Sequence, residues 1–155
     1  MGIFYERLAL AQARAEWRRA GKTVVFTNGC YDILHPGHIR LLEKARSLGD
    51  LLILGLNTDA SVARLKGPTR PLIPEQERAR MALMLEAVDA VTLFDEGTPR
   101  ELIAEVLPDI LIKGADWAHF IAGREEVEAA GGKVMALALE PVYSTTNIVE
   151  ELLKR

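Results

Sequence analysis

Two histidines three residues apart, His35 and His38, flank Pro36-Gly37 at a point where a helix should begin. Proline suits the first helical position, where its missing N–H would go unpaired anyway, and Gly37 lets a ligand approach the backbone. At i and i+3 the two imidazoles can project to one side. The open N–H groups and positive dipole end of a helix start form an anion site, so two imidazole donors beside it suit a polyphosphate. Three other readings use the same residues. With Cys30 the pair supplies three candidate metal ligands. Cys30 could act as a nucleophile with His35 as base, although nothing orients the base. Both histidines could simply cap the helix and pack.

Cations recur downstream. Lys66-Gly67-Pro68-Thr69-Arg70 reads either as a turn or as a closing lid over a phosphate site. Arg78 and Arg80 lie in a helical stretch with Glu75, Glu77 and Glu86, where the pattern alone gives a solvated face. Asp59 could cap the short helix after it, and Ser144-Thr145-Thr146 opens the last helix, as a cap and as a second anion-binding start. Gly114 would let a base lie against backbone. Arg40, His119 and Arg124 read as surface or packing residues.

These groups need a frame. Residues 4–20 show helical periodicity closed by Gly21, and further helices are expected over 36–48, 60–65, 75–87, 99–107, 125–130 and 144–155. Between them stand short continuous apolar runs at 23–27, 51–56, 90–94, 110–112 and 134–139, the mark of strands buried on both faces. The expected fold is α/β: a doubly wound, Rossmann-like parallel sheet of five strands with helices on both faces. Ligands in such sheets bind beyond the carboxyl ends of the strands, where strand order reverses.

The chain's 155 residues read as a single domain, 1–155, with an N-terminal helix over 1–20. Its formal charge of -3, from 19 basic and 22 acidic residues, gives no basic excess for nucleic acid. No apolar stretch approaches the roughly 20 residues of a membrane helix, and the charged N-terminus is unlike a signal peptide. One cysteine excludes an intramolecular disulfide. These features point to a cytoplasmic protein that binds neither nucleic acid nor membrane.

His35-Pro36-Gly37-His38 after Asn28-Gly29-Cys30-Tyr31-Asp32 resembles the His-x-Gly-His signature of the cytidylyltransferase-like nucleotidyltransferases, and the resemblance runs from Val24 to Leu152. Within that superfamily, four stretches resemble the adenylyltransferase domain that acts on D-glycero-β-D-manno-heptose 1-phosphate. They are Asn57-Thr58-Asp59-Ala60-Ser61, Leu65-Lys66-Gly67-Pro68-Thr69-Arg70-Pro71, Ile112-Lys113-Gly114-Ala115-Asp116 and Ser144-Thr145-Thr146-Asn147-Ile148.

The resemblance implies transfer of AMP from ATP to a heptose 1-phosphate, with pyrophosphate leaving and ADP-heptose formed for surface polysaccharide. It implies His35, His38, Lys66 and Arg78 as catalytic residues. Thr27, Asn28, Gly29, Cys30, Tyr31, Gly37, Arg70, Lys113, Gly114, Asp116, Ser144, Thr145 and Thr146 would bind the nucleotide, and Asn57 and Asp59 the sugar phosphate or its loop. Magnesium is expected to arrive on ATP, with no residue assigned as a metal ligand and Asp32 orienting a magnesium-bound water or neighbouring backbone. About twenty residues precede the first strand, so the form is read as stand-alone, with a separate sugar kinase supplying the substrate. The opening helix and the family point to a homodimer or larger assembly.

A cytidylyltransferase acting on glycerol 3-phosphate or ethanolamine phosphate is the alternative. Some such relatives carry an Arg and a Gly where Glu140-Pro141-Val142-Tyr143 stands here. A nucleotide-binding module without turnover would be expected to lose a motif histidine or the cationic loop, and both are present.

Overall fold

Val24, Val25 and Phe26 follow one another without polar interruption, so successive side chains must enter opposite faces of a sheet. They do. Val25 packs with Leu41, Leu42 and Ala45 on one side, whereas Val24 and Phe26 pack with Leu10, Leu102 and Ile103 on the other. The structure is a computed structural model that describes residues 1–115, 119–138 and 144–155. In chain order its elements are β1 (Ile3–Phe4), α1 (Arg7–Arg19), β2 (Val24–Gly29), α2 (Pro36–Arg46), β3 (Leu51–Asn57), α3 (Asp59–Lys66) and α4 (Glu75–Leu83). They continue with β4 (Ala90–Phe94), α5 (Arg100–Val106), β5 (Ile110–Gly114), α6 (Arg124–Ala129), β6 (Lys133–Leu137) and α7 (Thr145–Leu153).

All neighbouring strands run parallel, in the order β1-β4-β3-β2-β5-β6. The α/β sheet is thus as expected, with six strands instead of five. The extra strand lies where the opening helix was expected to start. Ile3 N–H donates to the Asp89 carbonyl and Tyr5 N–H to the Val91 carbonyl, so pairing with the open edge of β4 overrides the helical periodicity there, and the helix begins at Arg7. No helix among the described residues is long and apolar enough to cross a membrane.

The two ends of the sheet differ in kind. At the amino ends, Asp50, Asp89 and Asp109 each stand just before a strand and accept the N–H of Thr23, Leu52 and Val24, respectively. These carboxylates tie adjoining strands together, so that end is spent on stability. The carboxyl ends carry the turns in which the sequence concentrates its chemistry.

Candidate active site

The site begins as a gap in a ladder. β2 pairs with β3 over six residues, from Val24–Leu51 to Gly29–Leu56. Its pairing with β5 covers only Val25–Ile110 and Phe26–Leu111. Beyond Phe26 the two strands part, at the place where strand order reverses and a doubly wound sheet opens its crevice. Side chains bridge the parting: Thr27 Oγ1 donates to the Ile112 carbonyl at 2.9 Å, and Lys113 Nζ reaches the Asn28 carbonyl at 3.4 Å.

The chain leaves β2 through Tyr31, whose φ of 47° is left-handed and costs a non-glycine residue roughly 1–2 kcal/mol. The turn lays the Tyr31 ring over Gly29, where a Cβ would meet the ring at 2.7 Å. On its way into α2 the ring also meets His38, with centroids 4.6 Å apart. Burial raises the Tyr31 phenol well above its ordinary pKa, so the ring stays neutral.

His35 is the N-cap of α2, its Nδ1 accepting the His38 N–H at 3.4 Å. That contact leaves the His35 proton on Nε2, making that nitrogen a donor. The two imidazoles stack, with centroids 3.7 Å apart and planes 22° apart. Burial, then His35, then Lys66 push the His38 imidazole down to about 3, so it is neutral at physiological pH. Burial lowers the His35 pKa as well. His38 Nδ1 is buried with no hydrogen-bond partner among the described residues, an arrangement that costs about 1–3 kcal/mol unless something satisfies it. The capping-and-packing reading of the pair is therefore correct as far as it goes, and it leaves polar capacity over.

Lys66 is exposed at the end of α3. Gly67 follows with φ 105°, a conformation that favours glycine. Arg70 turns inward: its Nε donates to Asp32 at 2.8 Å, and its Nη2 is buried without a partner among the described residues. Asp32 is fully buried. Burial alone would raise its pKa, but the Leu72 and Ile73 amides and the Arg70 guanidinium outweigh that, so the carboxylate stays ionised.

The pattern reading of Arg78 as part of a solvated face is overturned, because its side chain is entirely buried. Nε donates to the Ile73 carbonyl, Nη1 to the carbonyls of Cys30 and Asn57, and Nη2 to Asp59 Oδ1. Four of its five donors are committed in this way, so it ties together three segments that frame the site. Arg80 is exposed, as read.

Asn57 is buried and spent locally: Nδ2 donates to Ser61 Oγ, and Oδ1 receives the Cys30 thiol at 3.7 Å. Asp59 does not cap α3. Thr58 does, accepting the Ser61 N–H, while Asp59 accepts the Glu75 N–H and Glu75 in turn accepts the Asp59 N–H. Burial pushes the Cys30 thiol up despite Lys66, Arg78 and Lys113, so it is protonated, the wrong state for a nucleophile. The described residues contain no group of three His, Cys, Asp or Glu side chains placed to hold a metal ion.

The second helix start joins the first. Ser144 caps α7 by accepting the Asn147 N–H, and Thr145, buried, donates to the Ile33 carbonyl at 3.3 Å in the turn before His35. Thr146 is exposed on the first turn of α7. Asp116 and the segment Glu140-Pro141-Val142-Tyr143 lie outside the described residues. The structure thus brings His35, His38, Thr27, Asn28, Gly29, Cys30, Tyr31, Lys113 and Thr145 to the carboxyl ends of β2 and β5. Arg70 joins them through Asp32. The share of Asp32 in holding the 70–73 backbone is visible only in three dimensions, since its partners stand 38 to 41 residues away.

A family model described as cytidylyltransferase-like matches residues 26–151. The chain belongs to that family. It is 58% identical over 139 residues to the bifunctional protein HldE of Syntrophotalea carbinolica, covering 89% of this chain and 28% of that protein. It is 51% identical over 150 residues to the HldE of Trichlorobacter lovleyi, covering 96% and 30%. The chain therefore spans about 30% of the length of the curated relatives it matches. Among solved structures, a lipopolysaccharide core biosynthesis protein from Thermoplasma volcanium aligns with a TM-score of 0.63 and 32% identity, over 77% of this chain and 98% of that one. A pantoate-beta-alanine ligase from Francisella tularensis, complexed with beta-gamma ATP and beta-alanine, aligns with a TM-score of 0.66 over 100% of this chain and 80% of that one. At 16% identity that likeness speaks to the fold alone.

Proposed function

We propose that this cytidylyltransferase-like chain is an adenylyltransferase that moves AMP from ATP to a heptose 1-phosphate, releasing pyrophosphate and giving ADP-heptose. The observation that carries the reading is the stacked histidine pair at the start of α2, neutral and with buried Nδ1 of His38 lacking a partner among the described residues, beside Lys66. The high identity to HldE proteins supports the substrate.

A sugar phosphate is already an anionic nucleophile, so its attack on the α-phosphorus needs no general base. What the reaction needs is alignment and stabilisation of charge building on the phosphoryl oxygens and the leaving pyrophosphate. His35 Nε2 and His38 supply neutral donors that lose no proton in the step. The starts of α2 and α7 are linked by the Thr145–Ile33 contact, and their N–H groups would add oriented dipoles. Lys66 and Arg70 supply the cations for the leaving group, and Lys113-Gly114, with Asp116, frame the base. Arg78 acts by holding the Cys30, Asn57 and Ile73 carbonyls, and Asn57 and Asp59 hold the loop under the acceptor. With no metal-holding cluster among the described residues, magnesium would enter on the triphosphate and neutralise its oxygens there. A sugar kinase supplies the substrate in the cytoplasm, and the active species is a homodimer or larger.

The test is pyrophosphate release with magnesium, crossing ATP and CTP against heptose 1-phosphate, glycerol 3-phosphate and ethanolamine phosphate. Release with ATP and the heptose only is expected. Turnover of CTP with either of the other phosphates would overturn the substrate and keep the chemistry.

A further inference from the structure

We propose that Asp32 is a positioning residue that sets Arg70, and with it the loop after Lys66, against the histidine turn. The inference rests on the nucleotidyl-transfer reading of the site and gives Asp32, expected from the sequence to orient a magnesium-bound water or neighbouring backbone, a defined partner.

Asp32 lies three residues before His35 in the same turn, and it is fully buried. Each of its oxygens is doubly engaged. Oδ1 accepts the Leu72 and Ile73 amides, both at 2.9 Å, and Oδ2 accepts Leu72 N–H at 2.9 Å and Arg70 Nε at 2.8 Å. A buried carboxylate with no other use for its lone pairs is thereby filled by one loop. Arg78 doubles the tie from below, donating to the Ile73 carbonyl and to the Cys30 carbonyl two residues ahead of Asp32.

Asp32 holds one end of this loop; at the other, Gly67 N–H donates to the Ala63 carbonyl and Arg70 N–H to the Gly67 carbonyl. From residue 70 to residue 73 it is clamped to the turn that presents the histidines. At Lys66 and Gly67 it is exposed or open, and the Gly67 Cβ position has nothing within 4 Å. Because Asp32 uses only Nε of Arg70, the outer nitrogens stay available, and Nη2 is the buried one without a partner among the described residues. A guanidinium held at Nε by a carboxylate has lost its torsional freedom, so it can meet a phosphoryl oxygen without further ordering cost. Of the two sequence readings of Lys66–Arg70, the structure shows the turn, Arg70 N–H donating to the Gly67 carbonyl, with the Arg70 side chain fixed by Asp32.

Asp32→Asn keeps one acceptor oxygen for the loop amides and turns an N–H towards Arg70 Nε. The expected result is a kcat at least tenfold lower and a KM for ATP at least fivefold higher, counted per ATP-binding site. Arg70→Gln should lose as much, and the double variant no more than threefold beyond either single one, because both changes break the same link. Amide exchange reads the latch without turnover. In Asp32→Ala the Leu72 and Ile73 amides should exchange at least a hundredfold faster, while the β2 and β3 amides stay within tenfold of the parent. Should that variant fail to fold, Asp32→Asn gives the same comparison with a smaller effect. Kinetic constants within twofold of the parent for Asp32→Asn, losses that multiply in the double variant, or unchanged exchange at Leu72 and Ile73 would overturn the proposal. A parent protein that releases no pyrophosphate would sink the functional reading instead, and the exchange data would still judge the latch.

Discussion

His35 and His38 lie ring on ring, 3.7 Å between centroids, while the main-chain N–H of His38 is capped by Nδ1 of His35. One residue thus sets the other twice, through the helix cap and through the ring. The Tyr31 ring packs against His38 as well, with centroids 4.6 Å apart.

Replacing His38 with alanine removes a donor without removing a satisfied hydrogen bond at Nδ1. The kcat for pyrophosphate release should fall by about 10²–10³-fold, the usual effect of losing one preorganised donor. Unfolding free energy should change by less than about 1 kcal/mol, since the orphaned atom is lost as well. Initial rates and urea titration on one preparation measure both.

The neutral imidazole of His38 gives stability a pH dependence of known sign. Its folded value of about 3 lies below the ordinary histidine value. Across that window the unfolded chain binds more protons than the native state. Stability is therefore complete above the ordinary value and declines as pH falls towards the folded one. Asp32, held ionised in the fold, adds a decline of the same sign at lower pH. Urea midpoints at stepped pH should fall with acid, and His38→Gln should flatten the slope above pH ~4.

Arg78→Lys keeps the charge and loses the fork. A lysine ammonium cannot reach the Ile73, Cys30 and Asn57 carbonyls and Asp59 together. Buried acceptors left bare cost about 1–3 kcal/mol each, so a loss of about 3 kcal/mol in unfolding free energy is expected. Chemical denaturation with ATP omitted isolates this from ligand effects.

Gly29→Ala tests the Tyr31 lid on the histidines. The new methyl would stand 2.7 Å from the ring, so the ring must move off His38 or the strand must shift. Overpacking of this kind costs about 1–3 kcal/mol, and turnover should drop at least about tenfold as the pair loses its backing. A crystal structure of the variant would show which side gave way.

The alternation of apolar runs with helical stretches determined the α/β class, because strands buried on both faces cannot be written any other way in these residue types. The His35–His38 spacing at Pro36 likewise marked the start of α2, since capping and dipole are local properties of a helix end. Tertiary structure alone decided what the distant charges do. Arg78 sits among glutamates in the sequence and looks solvated, yet it is buried because carbonyls from residues 30, 57 and 73 converge on it. Asp32 gains its role from a loop about forty residues away. The first strand was hidden for the same reason: Ile3 and Phe4 pair with β4, an edge no local pattern announces. Periodicity and caps are written within a few residues of one another, whereas the partner of a buried charge or an edge strand is chosen by how the whole chain packs.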